Sequence, residues 1–177
     1  MAWTAPRTWT DGELVTKAIM DPHIRDNLLS LGPIQRVRKT ADQNVVASTT
    51  LVNDTHLSFA VAASEVWKVT WYLLYSAPTA GDLKVAWTFP TSGVLDVSYV
   101  WMDSALTLAQ NGGHYTTSPS TATNLGGTGA TVGPVAVETV FANSTNAGTL
   151  QLQWAQATAS GTTTMLTNSS VIGWKLN

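Results

Sequence analysis

The chain has 177 residues, no cysteine and a formal net charge of −2, which fits one domain with a short extension and excludes disulfide scaffolds, zinc–thiolate and iron–sulfur sites and thiol nucleophiles. Only 11% of residues are charged, against about 25% in an ordinary soluble domain, so the basic footprint of a nucleic-acid binder is missing. Hydrophobic residues make up 44%, eight of them tryptophan, so the surface must be kept soluble by Ser, Thr, Asn, Gln and Gly, or be buried against other chains.

The first residues, Met1 to Thr10, carry Trp3, Pro6 and Trp9 in place of a basic leader and an apolar run, so a secretory signal is not expected. Thr10-Asp11-Gly12-Glu13 has capping-box spacing and predicts a helical turn through Ala18. Asp21-Pro22 reads as a helix start, with Asp as N-cap and Pro at the first helical position. From there Ile24, Leu28 and Leu31 share a face, Leu29 widens it, and Gly32-Pro33 stops it. So short a helix is unstable alone and must dock on something. Residues 1–42 hold eleven of the twenty charged side chains, among them Arg7, Arg25 and Lys39, and the boundary near residue 42 marks a change of role. The expected organisation is an N-terminal arm over 1–42 with one or two short helices, then a β domain over 43–177.

Beyond the arm the pattern is period two. Leu83, Val85, Trp87 and Phe89 alternate with Asp82, Lys84, Ala86 and Thr88; Leu95, Val97, Tyr99 and Trp101 alternate likewise, as do Leu150, Leu152 and Trp154. Such alternation marks half-buried antiparallel strands. Further strands are expected at 45–52, 56–62, 65–76, 134–142, 162–167 and 170–176, about nine in all. Turns are expected at Asn53-Asp54, Ala80-Gly81, Thr91-Ser92-Gly93, Asn146-Ala147-Gly148 and Ser160-Gly161. The predicted fold is an all-β antiparallel β-sandwich or jelly roll. The strand 65–76 is apolar on both faces: Trp67, Val69, Trp71, Leu73 and Tyr75 on one, Val66, Tyr72 and Leu74 on the other. The second face is expected to meet another subunit, or else the N-terminal helix. It is also the longest apolar-looking region, and Lys68 and Thr70 interrupt it well short of the roughly 20 residues of a membrane span. Residues 110–133 are Gly/Ser/Thr-rich and read as a long loop.

Chemistry-bearing patterns are sparse. His23, His56 and His114 read as structural or solvated, no Gly-x-Ser-x-Gly elbow occurs, and Asp21-x-His23 is explained by helix capping. Asp96 and Asp103 flank a strand and read as solvent-facing rather than as paired catalytic carboxylates. Gly126-Gly127-x-Gly129 opens no helix after a strand and so fails as a phosphate loop. No catalytic, cofactor or metal site is expected. Trp67, Trp71, Trp87, Trp101, Trp154 and Trp174 fall on the apolar phase of their strands and are assigned to core or subunit interface, while Trp3 and Trp9 read as contact anchors.

Ala2-Trp3-Thr4-Ala5-Pro6-Arg7-Thr8-Trp9, Gly12-Glu13-Leu14-Val15-Thr16 and His23-Ile24-Arg25-Asp26-Asn27-Leu28 resemble the N-terminal segment of small virion proteins of tailed bacteriophages. Met20-Asp21-Pro22 departs from the Leu-Asn-x more usual there. The closing stretch, Gly148 to Gln156 and Ser170 to Leu176, is similar to the last hairpin of phage appendage domains with a tumour-necrosis-factor-like jelly roll. The resemblance implies a non-enzymatic, homotrimeric protein on the virion, a capsid decoration, head fibre or tail appendage, partnered by other virion proteins. Particle attachment is then assigned to Trp3, Pro6, Arg7, Trp9, Ile24, Arg25 and Leu28, and the subunit interface to Val66, Tyr72 and Leu74. The alternative is a host-receptor or glycan-binding tip using the 110–133 loop. No nucleic-acid or membrane-insertion role is expected.

Overall fold

Alternating strands must each lay one face on a core, and in the computed structural model, which describes residues 4–5, 7–30, 32–102, 108–129 and 131–177, the chain forms two compact units, 1–34 and 35–177. The division falls between Ile34 and Gln35 rather than at residue 42, because residues 35–38 already belong to a strand of the larger unit.

In the first unit, Lys17–Met20 (α1), a π-helical turn over Asp21–Arg25 and Asp26–Ser30 (α2) follow one another. Asp21 therefore lies inside the helical run instead of capping its start. Pro22 lacks the N–H that would continue the α ladder, and the Asp26 N–H reaches back five residues to the Asp21 carbonyl. Half of the expected capping box is present upstream: the Thr10 N–H donates to Glu13 Oε2 at 3.5 Å.

The second unit is an antiparallel β-sandwich. Its strands are β1 (Ile34–Arg38), β2 (Gln43–Val46), β3 (Val52–Val61), β4 (Val66–Ser76), β5 (Leu83–Thr88), β6 (Val94–Met102), β7 (Leu108–Tyr115), β8 (Thr123–Leu125), β9 (Gly133–Ala142), β10 (Gly148–Gln156), β11 (Thr162–Met165) and β12 (Ser170–Lys175). One sheet runs β1-β12-β4-β9-β6-β7, with β11 and β2 added beside β4; the other runs β3-β10-β5-β8. The pairs β3–β10, β4–β9 and β5–β8 are nested one inside another, the wiring of a long hairpin rolled into a jelly roll.

Among the described residues twelve strands stand where about nine were expected, for local reasons. The predicted strand 45–52 is two segments, because Ala47 takes a positive φ of 42° and breaks the run between β2 and β3. Asn53-Asp54 is not a turn but lies within β3. The 110–133 segment contains strand as well as loop: β7 pairs with β6 from Met102↔Leu108 to Leu95↔Tyr115 and β8 pairs with β5, while 116–122 and 126–129 lie outside the strands. Glycine signalled a loop, yet at Gly112 a Cβ would stand 2.8 Å from the Val97 carbonyl oxygen. There glycine serves close strand approach.

The core fills the space between the sheets. Trp71 on β4 meets Trp87 on β5 at 5.8 Å between ring centroids, and Trp87 meets Tyr99 on β6 at 5.7 Å. Phe59 on β3 meets Trp67 on β4 edge to face at 5.3 Å. Such pairs add about 0.5–1.5 kcal/mol beyond the area they bury. Trp67, Trp71, Trp87 and Trp154 are buried as expected and Trp101 is partly so, but Trp174 is 39% exposed. Both phases of β12 are apolar, and Gly173, not Trp174, takes the inward position. A Cβ on Gly173 would lie 3.2 Å from both Phe59 and Trp67.

One ion pair is wholly enclosed. The Lys39 ammonium lies 2.9 Å from Asp54 Oδ2, and both side chains are fully buried. Lys39 Nζ also reaches Gln43 Oε1 and Thr55 Oγ1 at 3.2 Å each. Asp54 accepts from the backbone N–H groups of His56 and Leu57 and from Trp154 Nε1. Every charge and donor in this cluster is matched, the condition under which a buried pair is tolerated.

Candidate functional site

Antiparallel register carries side-chain parity from strand to strand, so the outward face of the larger sheet can be read row by row. One row runs Ser170, Tyr72, Ala136, Val100, Gln110. The next runs Ile172, Thr70, Glu138, Ser98, Gly112, and the one after it Trp174, Lys68, Val140, Asp96, His114. Tyr72 is 46% exposed and Val100 43%, with Val140 and Trp174 also in contact with solvent. Leu74, opposite Pro134, and Val66, opposite Ala142, are half-buried on the same face. Val66, Tyr72 and Leu74 thus share one surface, and the rows add Val100, Val140, Ile172 and Trp174, which the sequence reading had not assigned to it. Only register could show this, since they sit on three strands other than β4.

Charges occupy the middle of this face. Lys68 Nζ lies 2.5 Å from Glu138 Oε2, and the Thr70 hydroxyl donates to Glu138 Oε1 at 2.7 Å. Burial pushes the Glu138 carboxyl up, but the hydrogen bonds from Lys68 and Thr70 outweigh it and leave the pKa below the ordinary 4.5. His114 Nδ1 lies 2.6 Å from Asp96 Oδ1, both side chains largely exposed. A shallow cavity of about 330 Å³ opens over Lys68, Asp96, Ser98, His114 and Glu138. Asp96 faces solvent as expected, while Asp103 lies outside the described residues.

In the first unit, Trp9, Ile24 and Leu28 are exposed, Leu28 at 63%, and Leu14, Val15 and Met20 join them. The Arg7 guanidinium pairs with Glu13 and sits 5.8 Å from the Trp9 ring centroid. Arg25 bridges Asp26 at 2.8 Å and Asp21 at 3.1 Å. A hydrogen bond from Lys17, opposed by burial and reinforced by Arg25, holds the Asp21 carboxyl below its ordinary range. Trp3 and Pro6 lie outside the described residues. Asn27, which sequence reasoning passed over, clasps the arm: its Oδ1 accepts from the Thr4 N–H at 2.8 Å and its Nδ2 donates to the Thr4 carbonyl at 3.0 Å.

Within the second unit His56 and His114 have different partners. His56 bonds the hydroxyls of Thr40 and Thr55 at 3.0 and 2.8 Å, and His23 lies in the π-helical turn of the other unit. Among the described residues no three His, Asp or Glu side chains gather as a metal cluster, and no helix is long and apolar enough to cross a membrane.

No family model matches the chain, and neither does any curated protein. Among solved structures it is similar to the tripod of the bacteriophage Tuc2009 baseplate, at 10% identity and a TM-score of 0.28, over 98% of this chain and 76% of that one. It is also similar to the CBM22-1–GH10 modules of the Clostridium thermocellum xylanase 10B at 10% identity and a TM-score of 0.32, of which it spans 27%. The infectious bursal disease virus Gt strain structure matches at 12% identity and a TM-score of 0.22, over 41% of its chain.

Proposed function

We propose that this protein is a non-enzymatic structural component of a tailed-bacteriophage virion, a homotrimeric jelly roll fastened to the particle through its N-terminal unit. The carrying observation is the outward face of the larger sheet, where Tyr72, Val100, Val140 and Trp174 stay exposed in a chain with only 11% charged residues. A central strand with aromatic and aliphatic side chains on both faces leaves one of them to another chain. Attachment by the first unit is supported by its exposed apolar side chains and by the likeness of residues 2–28 to the N-terminal segment of phage virion proteins. The receptor- or glycan-binding alternative is left with shorter loops than the sequence suggested, since 110–115 and 123–125 are paired strand.

The test compares full-length protein with a chain lacking residues 1–33 during particle assembly. The truncated chain should keep its β signature and its number of copies per assembly while failing to join the particle. Normal incorporation of the truncation contradicts attachment by this unit.

A further inference from the structure

We infer that the subunit contact is heterologous: the basic β1 margin of one copy lies against the acidic β6–β9 region of the next. This rests on the trimeric reading above and specifies which surfaces meet. On β1, Ile34, Arg36 and Arg38 are exposed while Gln35 and Val37 turn inward, so both guanidinium groups stand on the outer face of the larger sheet. Arg38 donates to Asn168 Oδ1 at 2.6 Å, and among the described residues no carboxylate lies within ion-pair distance of Arg36 or Arg38. They border a cavity of about 250 Å³ floored by Ser170, Val171 and Ile172.

The opposite sign lies elsewhere on that face. Asp96 and Glu138 have only one lysine, Lys68, and the titratable His114 beside them. In the order β1-β12-β4-β9-β6 Glu138 lies three strands from β1 and Asp96 four, or about 14 and 19 Å at the usual strand spacing. They cannot neutralise each other within one chain. A ring generated by rotation brings two different patches of neighbouring copies together at every contact, whereas a two-fold axis through a patch sets that patch against its own copy. Two-fold pairing centred on either patch would oppose like charges. Head-to-tail pairing sets Arg36 and Arg38 against Asp96 and Glu138, with Ile172 and Trp174 of one copy free to cover the exposed Tyr72 and Val100 of the next.

The test is solution mass by light scattering over a dilution series, with full-length chains. A wild type that stays monomeric at every concentration overturns the assembly reading, and this inference with it; a wild-type dimer overturns the head-to-tail contact alone. Given a trimer, Arg36→Glu with Arg38→Glu should raise the half-assembly concentration about tenfold or more, as should Asp96→Lys with Glu138→Lys. All four changes in one chain should return assembly to near the wild-type concentration. Trimers unaffected by either pair of changes, or no recovery in the combined chain, overturn the inference. Should a reversed variant fail to fold, salt supplies the second measurement. Raising ionic strength from about 0.05 to about 0.5 M should weaken wild-type assembly by screening, and assembly that strengthens or stays unchanged overturns the contact.

Discussion

Removing Asp54 should be worse than removing Lys39, and removing both should be milder than removing Asp54 alone. Lys39→Met leaves the carboxylate buried, but it keeps three N–H donors, from His56, Leu57 and Trp154. The cost should lie near the lower end for a broken buried pair, about 3 kcal/mol. Asp54→Ala strands an enclosed ammonium with only Gln43 and Thr55 oxygens and orphans those three donors. That places it at about 5 kcal/mol or more. In a unit of this size each kcal/mol is about 3–4 °C, so the melting temperature should fall by roughly 10 °C for Lys39→Met and by 15–20 °C for Asp54→Ala. The double variant removes the uncompensated charge and should recover part of the Asp54→Ala loss. Urea unfolding followed by tryptophan fluorescence, at a constant m-value, measures all three. If Lys39→Met costs more than Asp54→Ala, or either costs under about 1 kcal/mol, the account of this cluster is refuted.

Three further outcomes follow from the geometry. Glu65 accepts from the Ala62 N–H and Trp67 Nε1 and pairs with Lys175 at 3.0 Å; burial raises its pKa, but these bonds outweigh it and leave it lowered, as at Glu138. A carboxyl whose folded pKa is depressed contributes stability above its unfolded value, near 4.5, and loses it as pH falls through the folded pKa. Glu65→Gln should therefore flatten the acid limb of a stability–pH curve below that point. Gly173→Val should cost about 1–3 kcal/mol in urea unfolding, because Phe59 and Trp67 leave no room. Asn27→Ala should abolish hydrogen-exchange protection of the Thr4 amide without altering exchange in β4 or β9.

Legibility in the sequence followed the reach of each signal. Alternation marked β5, β6 and β10 because one face of each carries large apolar side chains and the other mostly polar or small ones. It could not orient β12, where Val171, Ile172 and Trp174 are apolar on both phases and the inward Gly173 lies against the rings of Phe59 and Trp67. Pairing overrode composition at β7, where glycines that suggest a loop permit close approach to β6. Lys39 counted as an arm charge and Asp54 as a turn residue, since nothing local marks two residues fifteen apart as partners in the core. The outward face was half-visible: Val66, Tyr72 and Leu74 lie on one strand and could be read together. Val100, Val140, Ile172 and Trp174 join them only through the register of four strands.

The central claim is that the exposed face of the larger sheet is covered by other copies of this chain, and hydrogen exchange on the assembled protein tests it most directly through the strands that carry it. Compared at matched temperature in a dilute and a concentrated sample, the β4, β6 and β12 peptides bearing Tyr72, Val100 and Trp174 should gain protection on concentration. The mass should rise in parallel from 18.8 kDa to about 56 kDa, three copies in a closed ring. A mass that stays at 18.8 kDa, with no concentration-dependent protection on those strands, would contradict it.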